Sequence, residues 1–332
     1  MTLAAVIAAL HAVGWGGVWW GVHHGAPSLA GLAGLAYAFG LRHAFDADHI
    51  AAIDNTTRKL MQGEHRPLGV GFFFSLGHST VVLLMTLALA IATQTMTEEM
   101  PRLREVGGYV GTLVSGVFLY VIGIMNLVVM IDIARAFRAL HAQSDARALE
   151  ERLLERGVLT RWFSGVFRFV SQPWHMYPIG VLFGLGFDTA TEIGLLTTAA
   201  VATTQHMPLL SVLSLPIVFA AGMSLLDTVD GVLMCGAYGW AFAHPLRKVF
   251  YNLTITGLSA IVALFIGTVE LVSIVAAKTG WTPPAWWAPL LRWDSQAMGY
   301  GVVALFLVCW AASVGIWHIG GFETRWSRRP HL

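Results

Sequence analysis

Between Leu32 and Asp54 the chain reads LAGLAYAFGLRHAFDADHIAAID, which sets Arg42, His43, Asp46, Asp48 and His49 within eight residues of an otherwise apolar stretch. Two imidazoles with carboxylates suit a borderline divalent ion such as Ni, Co, Zn or Cu, whereas magnesium and calcium prefer shells made only of oxygen. A charged side chain at the centre of a membrane span costs about 2.5–3.5 kcal/mol and usually faces a cavity or a partner. Structure alone does not account for so many of them; the bland alternative is an Arg42–carboxylate network that holds helices together. At 100° per residue, His43, Asp46 and His49 fall within about 120° on one helix face. Asp48 points elsewhere unless the helix unwinds, a distortion that Gly40 just before it would permit. Asp48 is then either a ligand or an acceptor that fixes a histidine tautomer.

Further polar groups lie in other apolar stretches. His78-Ser79 follows Gly77, and its bland reading is a satisfied core histidine. Asp188 and Glu192 stand at i and i+4 in GFDTATE, and Asp227 and Asp230 at i and i+3 in GMSLLDTVDG. Either pair can attract a cation or carry protons; the competing role is to partner Arg42 or a backbone network. Asn126 and Glu270 read as gate or helix-contact residues. Met223 and Met234 read as packing. His23 and His24, just beyond the first apolar stretch, read as a solvated loop.

The elements that carry these residues are membrane helices. The chain of 332 residues is 56% hydrophobic and 12% charged, against about 25% charged in a soluble domain. Its apolar runs reach the length that crosses a bilayer. Eight spans are expected, at 3–22, 29–54, 68–94, 106–132, 176–203, 209–243, 250–277 and 297–319. The sixth is long enough to be broken. The connection 133–172 is rich in Arg and Glu and reads as a helical cytoplasmic loop. The N-terminal stretch lacks a positive leader and reads as a retained helix. Cys235 and Cys309 lie in apolar runs and read as core residues. Net charge is +1, so nothing points to nucleic acid. With the N-terminus inside, 15 of the 20 Lys and Arg residues face the cytoplasm, four face outward and Arg42 lies within a span. That asymmetry predicts both termini inside.

The chain also repeats. Phe39-Gly40-Leu41 recurs as Phe183-Gly184-Leu185, Phe74-x-x-Gly77-x-Ser79 as Phe219-x-x-Gly222-x-Ser224, and Ile122-Gly123 as Ile266-Gly267, at offsets of 144, 145 and 144 residues. The third match sets Asn126 opposite Glu270. Each unit holds three spans (29–132 and 176–277), an odd number, so the copies are antiparallel in the membrane. Inverted repeats are a recurrent transporter architecture, with the substrate at the repeat interface. No GxxxxGK[ST] loop occurs, and none of Lys59, Lys248 and Lys278 follows a glycine, so no ATPase unit is expected in this chain. HExxH is absent too.

RHAFDADHI, LGHSTVV, LGFDTATEI and GMSLLDTVDG, in that order, resemble the nickel/cobalt transporter (NiCoT) family. The resemblance implies an all-α protein of eight helices in the inner membrane that takes up Ni2+ and/or Co2+ as substrate, with no cofactor. It also implies that His43, Asp48 and His49 are the core of metal recognition; Asp46 is added from helix geometry. Exporters of this kind carry a histidine-rich cytoplasmic stretch, and the loop 133–172 has only His141. The expected partners are a divalent transition-metal ion and the bilayer. The rival readings are an exporter, an intramembrane zinc hydrolase built on span 2, and a scaffold of buried charges.

Overall fold

In lipid a backbone satisfies its own polar groups only as a helix or a closed barrel. In the computed structural model every element among the described residues is helical. The described residues are 2–61, 67–91, 93–141, 170–186, 189–242, 245–282, 284, 287 and 295–319. The helices are α1 (Leu3–His23), α2 (Leu29–His43), α3 (Ala47–Met61), α4 (Val70–Ile91), α5 (Thr93–His141), α6 (Met176–Phe183), α7 (Ala190–Thr204), α8 (Leu209–Phe242), α9 (Pro245–Thr279) and α10 (Ser295–Ile319). Among the described residues five stretches are long and apolar enough to cross a membrane: Leu3–His23, Val70–Ile91, Gly108–Val128, Leu209–Gly239 and Thr256–Thr279. In α10 the comparable apolar stretch is the shorter Met298–Cys309.

The second and fifth expected spans are not single helices. After α2 the amides of Phe45 and Asp46 bond three residues back, to Arg42 and His43, at 3.1 and 2.9 Å. Such i→i−3 bonds tighten a last turn and end a helix. The chain re-enters as α3 at Ala47. The fifth span uses the same device: Leu185 bonds back to Leu182 at 3.4 Å and Gly186 to Phe183 at 2.9 Å. Thr189 then caps α7, its hydroxyl accepting from the Glu192 amide. The sixth span, long enough to be broken, is the unbroken helix α8 with Pro216 inside it. Helix α5 continues to His141, into the segment expected as a connection.

Packing follows from glycines at close crossings. A Cβ on Gly40 would strike the Phe219 carbonyl, and one on Gly180 the Phe74 carbonyl. Thus α2 lies backbone to backbone on α8, and α6 does the same on α4. Helices α5 and α9 pack along each other. Helix α3 is enclosed by α4, α5, α8, α9 and α10. That position explains how a helix bearing Asp54, Asn55, Thr56, Thr57 and Arg58, all buried, exists among membrane helices: its polar face meets protein and not lipid.

Candidate metal centre

The break between α2 and α3 turns two ends toward one point. His43 stands in the last turn of α2 and His49 in the first turn of α3. His78 comes from the middle of α4. One ring nitrogen from each lies within 4.8 Å of the others, and all three residues are buried. His43 Nε2 and His78 Nε2 are 3.1 Å apart. Ligands about 2.1 Å from an ion and at right angles to it are separated by about 3.0 Å, so this pair already has the spacing of neighbouring ligands.

Each histidine has its own carboxylate, and the three come from three segments. Asp46 Oδ2, in the break, is 2.9 Å from His43 Nδ1, outside hydrogen-bond geometry. Glu192 Oε1, on α7, is 2.8 Å from His78 Nε2. Asp227 Oδ2, on α8, is 3.5 Å from His49 Nδ1. Three imidazoles beside carboxylates match the donor preference of nickel and cobalt. Asp46 meets His43 at Nδ1, behind the Nε2 that faces His78, and a carboxylate so placed orients the ring and raises its basicity. Glu192 meets His78 at the same Nε2 that faces His43, so it stands as a neighbouring donor. Phe219 lies 5.7 Å from the His43 ring and Phe74 4.7 Å from the His49 ring, centroid to centroid, so aromatic walls flank the cluster. These two phenylalanines are the counterparts in the repeated Phe-x-x-Gly-x-Ser pattern.

Threonines finish the arrangement. Thr191 Oγ1 is 2.9 Å from His43 Nδ1. Thr189 Oγ1 donates to Glu192 Oε2 at 2.9 Å, which fixes the carboxylate that meets His78. Neither threonine was singled out from the sequence. The signal was present: Thr189-Ala190-Thr191-Glu192 has the S/T-x-x-E form of a capping box, and a helix starting at Thr189 puts all three polar residues beside the break.

The other expected residues fall as follows. Asp48 stands beside the histidine cluster in the first turn of α3, where its Oδ1 accepts the His49 amide at 2.9 Å. A carboxylate there complements the helix N-terminus. Arg42 is exposed, so it does not lie inside the histidine cluster. Asp188 lies outside the described residues. Asp230 follows Asp227 one turn along α8. Asn126 Nδ2 donates to Asn55 Oδ1 at 2.7 Å and ties α5 to α3. Glu270 on α9 sits against Gly116 of α5. Arg58, counted with the cytoplasmic charges, is buried among helices at 1% exposed.

Comparison with known proteins gives one family and several close relatives. Residues 29–316 match the NicO family, described as high-affinity nickel-transport protein. The chain is 50% identical to the nickel transporter NicT of Mycobacterium tuberculosis over 98% of this chain and 90% of that protein. It is 47% identical to the nickel transporter NixA of Staphylococcus aureus over 98% and 96%. The cobalt transport protein NhlF of Rhodococcus rhodochrous is 41% identical over 89% and 84%. No solved structure matches.

Proposed function

Because the chain belongs to the NicO family of high-affinity nickel-transport proteins, we propose that it carries Ni2+ and/or Co2+ inward across the cytoplasmic membrane. The cluster of His43, His49 and His78 with Asp46, Glu192 and Asp227 is the binding site, and Asp48 holds the start of α3 that presents His49. The observation that carries this reading is a set of three buried imidazoles, gathered at a helix break, each with its own carboxylate.

The proposed route is alternating access between two inverted repeats, 29–132 and 176–277, within an eight-segment bundle whose termini are cytoplasmic. Four features support it. A Phe-Gly-Leu triplet stands near the end of the first half of both broken helices. The half-helix before each break packs on the unbroken helix that follows the other broken span, α2 on α8 and α6 on α4. Discontinuous helices at a repeat interface are where transporters of this architecture hold ions. The named relatives transport nickel or cobalt. A hydrated ion sheds water onto the imidazoles, the repeats rock about the cluster, and the ion leaves on the cytoplasmic side. Moving two charges through 100 mV yields about 4.6 kcal/mol, a concentration ratio of about 10³. Membrane potential alone is therefore a sufficient driving force.

The direct test is accumulation of radioactive Ni2+ and Co2+ by cells expressing the chain at matched membrane levels. His43→Gln, His49→Gln and His78→Gln should each abolish accumulation. Uptake that survives in all three would remove the cluster from the transport route, and efflux in place of uptake would reverse the direction. The ratio of the two isotopes gives the metal preference.

A further inference from the structure

Helices α3 and α8 run side by side in the same direction away from the histidine cluster. His49 meets Asp227, the space beside Gly231 is bounded by Ile53, and the Tyr238 hydroxyl donates to Asp54 Oδ1. After the apolar residues 50–53, polar residues resume in α3 from Asp54 to Arg58; from His49 to Arg58 is nine residue steps, about 14 Å at 1.5 Å per residue. By the charge asymmetry of the loops, this direction leads to the cytosol.

The far end of the seam carries a second group of buried charges. Asp54 is 0% and Arg58 1% exposed. They stand at i and i+4 on one face of α3, near enough for the charge of Arg58 to act on Asp54. Asp54 in turn is near enough to Asp230 for the two carboxylates to repel. The guanidinium carbon of Arg58 lies 5.8 Å from the centre of the Tyr238 ring. Asp54 Oδ2, Asp230 Oδ2 and all three guanidinium nitrogens are buried and have no hydrogen-bond partner among the described residues.

A structural arginine in such a place would spend its fork on a carboxylate in a bidentate pair. Buried charges left without hydrogen bonds are costly to hold. Arg58 therefore acts as a loosely held counter-charge. Two carboxylates carry twice its charge, and a divalent ion balances them fully. We propose that Asp54 and Asp230 form a second cation station for the divalent cargo, closed in this conformation by Arg58 as a tethered cation. The station has carboxylate oxygens and no imidazole, so it holds nickel or cobalt less tightly than the histidine cluster does. A weaker site on the exit side lets the ion leave a tight one. The exit role rests on the uptake reading; the binding itself does not.

The test is equilibrium dialysis of the detergent-purified full chain with radioactive Co2+, read as ions bound per chain. Arg58→Met should bind one more ion than the unmodified protein, Arg58→Lys should show no gain, and Asp54→Asn added to Arg58→Met should cancel it. No gain in Arg58→Met overturns the station. The gain is scored against the parent protein, so failure of the histidine reading, seen as a parent that binds no ion, stays distinct from failure of this one. If Arg58→Met does not accumulate in membranes, Asp54→Asn alone decides. That variant should bind cobalt as the parent does while cellular uptake falls at least tenfold, and unchanged uptake overturns the station.

Discussion

Thr191 does no coordination of its own, yet its hydroxyl lies 2.9 Å from His43 Nδ1 and sets the ring's orientation. Partners behind metal-binding histidines are worth about 10–100-fold in affinity. Thr191→Val, nearly the same shape without the hydroxyl, should weaken Co2+ binding by about tenfold while the melting temperature of the ion-free protein stays within about 2 °C. Equal affinity would mean that Asp46 alone orients the ring. The sequence showed His43, Asp46 and His49 because their types and spacing are unusual inside an apolar stretch. His78 stood in the LGHSTVV motif, but its residue type and place alone gave a histidine in an apolar helix, whose bland reading is a satisfied core residue. Its place beside His43 depends on how α4 crosses the α2–α3 break, and no local pattern encodes a crossing. The burial of Arg58 was hidden for a related reason: an Arg-Lys pair after an apolar run looks solvated, and only the ring of helices around α3 encloses it.

Among the elements, α2 and α8 depend on the absence of a side chain at Gly40. Gly40→Val should force the helices apart, an overpacking that costs about 1–3 kcal/mol. At roughly 2–4 °C per kcal/mol for a chain of a few hundred residues, thermal unfolding in detergent should drop by several degrees. Gly236, on the open side of α8 with nothing within 4 Å of a built Cβ, is the control, since Gly236→Ala should leave the transition in place or raise it slightly. The reverse pattern would put the tight crossing elsewhere. That spans 2 and 5 held the polar motifs was legible from hydropathy. That each would divide was not, because the tightened turns at Phe45–Asp46 and Leu185–Gly186 use no proline, and continuous apolar periodicity hides a break as short as the three residues between α2 and α3. Glycine spacing did mark where helices touch: Gly40 and Gly222 lie in two of the repeated triplet and hexad patterns and both sit at the α2–α8 crossing.

For the whole molecule, potential-driven uptake predicts a dependence on voltage. Collapsing the potential at constant pH gradient should cut steady-state accumulation of Ni2+ from about 10³-fold toward unity. Accumulation that survives would assign the work to protons, with Glu192 and Asp227 as the carriers to examine. The enclosure of α3 has another consequence, which concerns the order in which the protein is made. Fifteen residues of helix reach only about 22 Å, short of a hydrocarbon core of about 30 Å, and α3 carries a cluster that lipid rejects. The ribosome delivers α3 long before α8, which begins at Leu209, and α8 brings its Asp227 and Tyr238 partners. Until then α3 has nowhere dry to go and waits at the membrane surface. A nascent chain ending after His141, with cysteine substituted for Asn55, should therefore react with a membrane-impermeant maleimide from the cytosolic face. In the complete chain, with Cys235 and Cys309 replaced by alanine, the same position should be protected. Assembly of the ion pathway is then a late step of insertion, and a chain stalled before α8 exposes its most polar helix to the quality-control machinery of the cell.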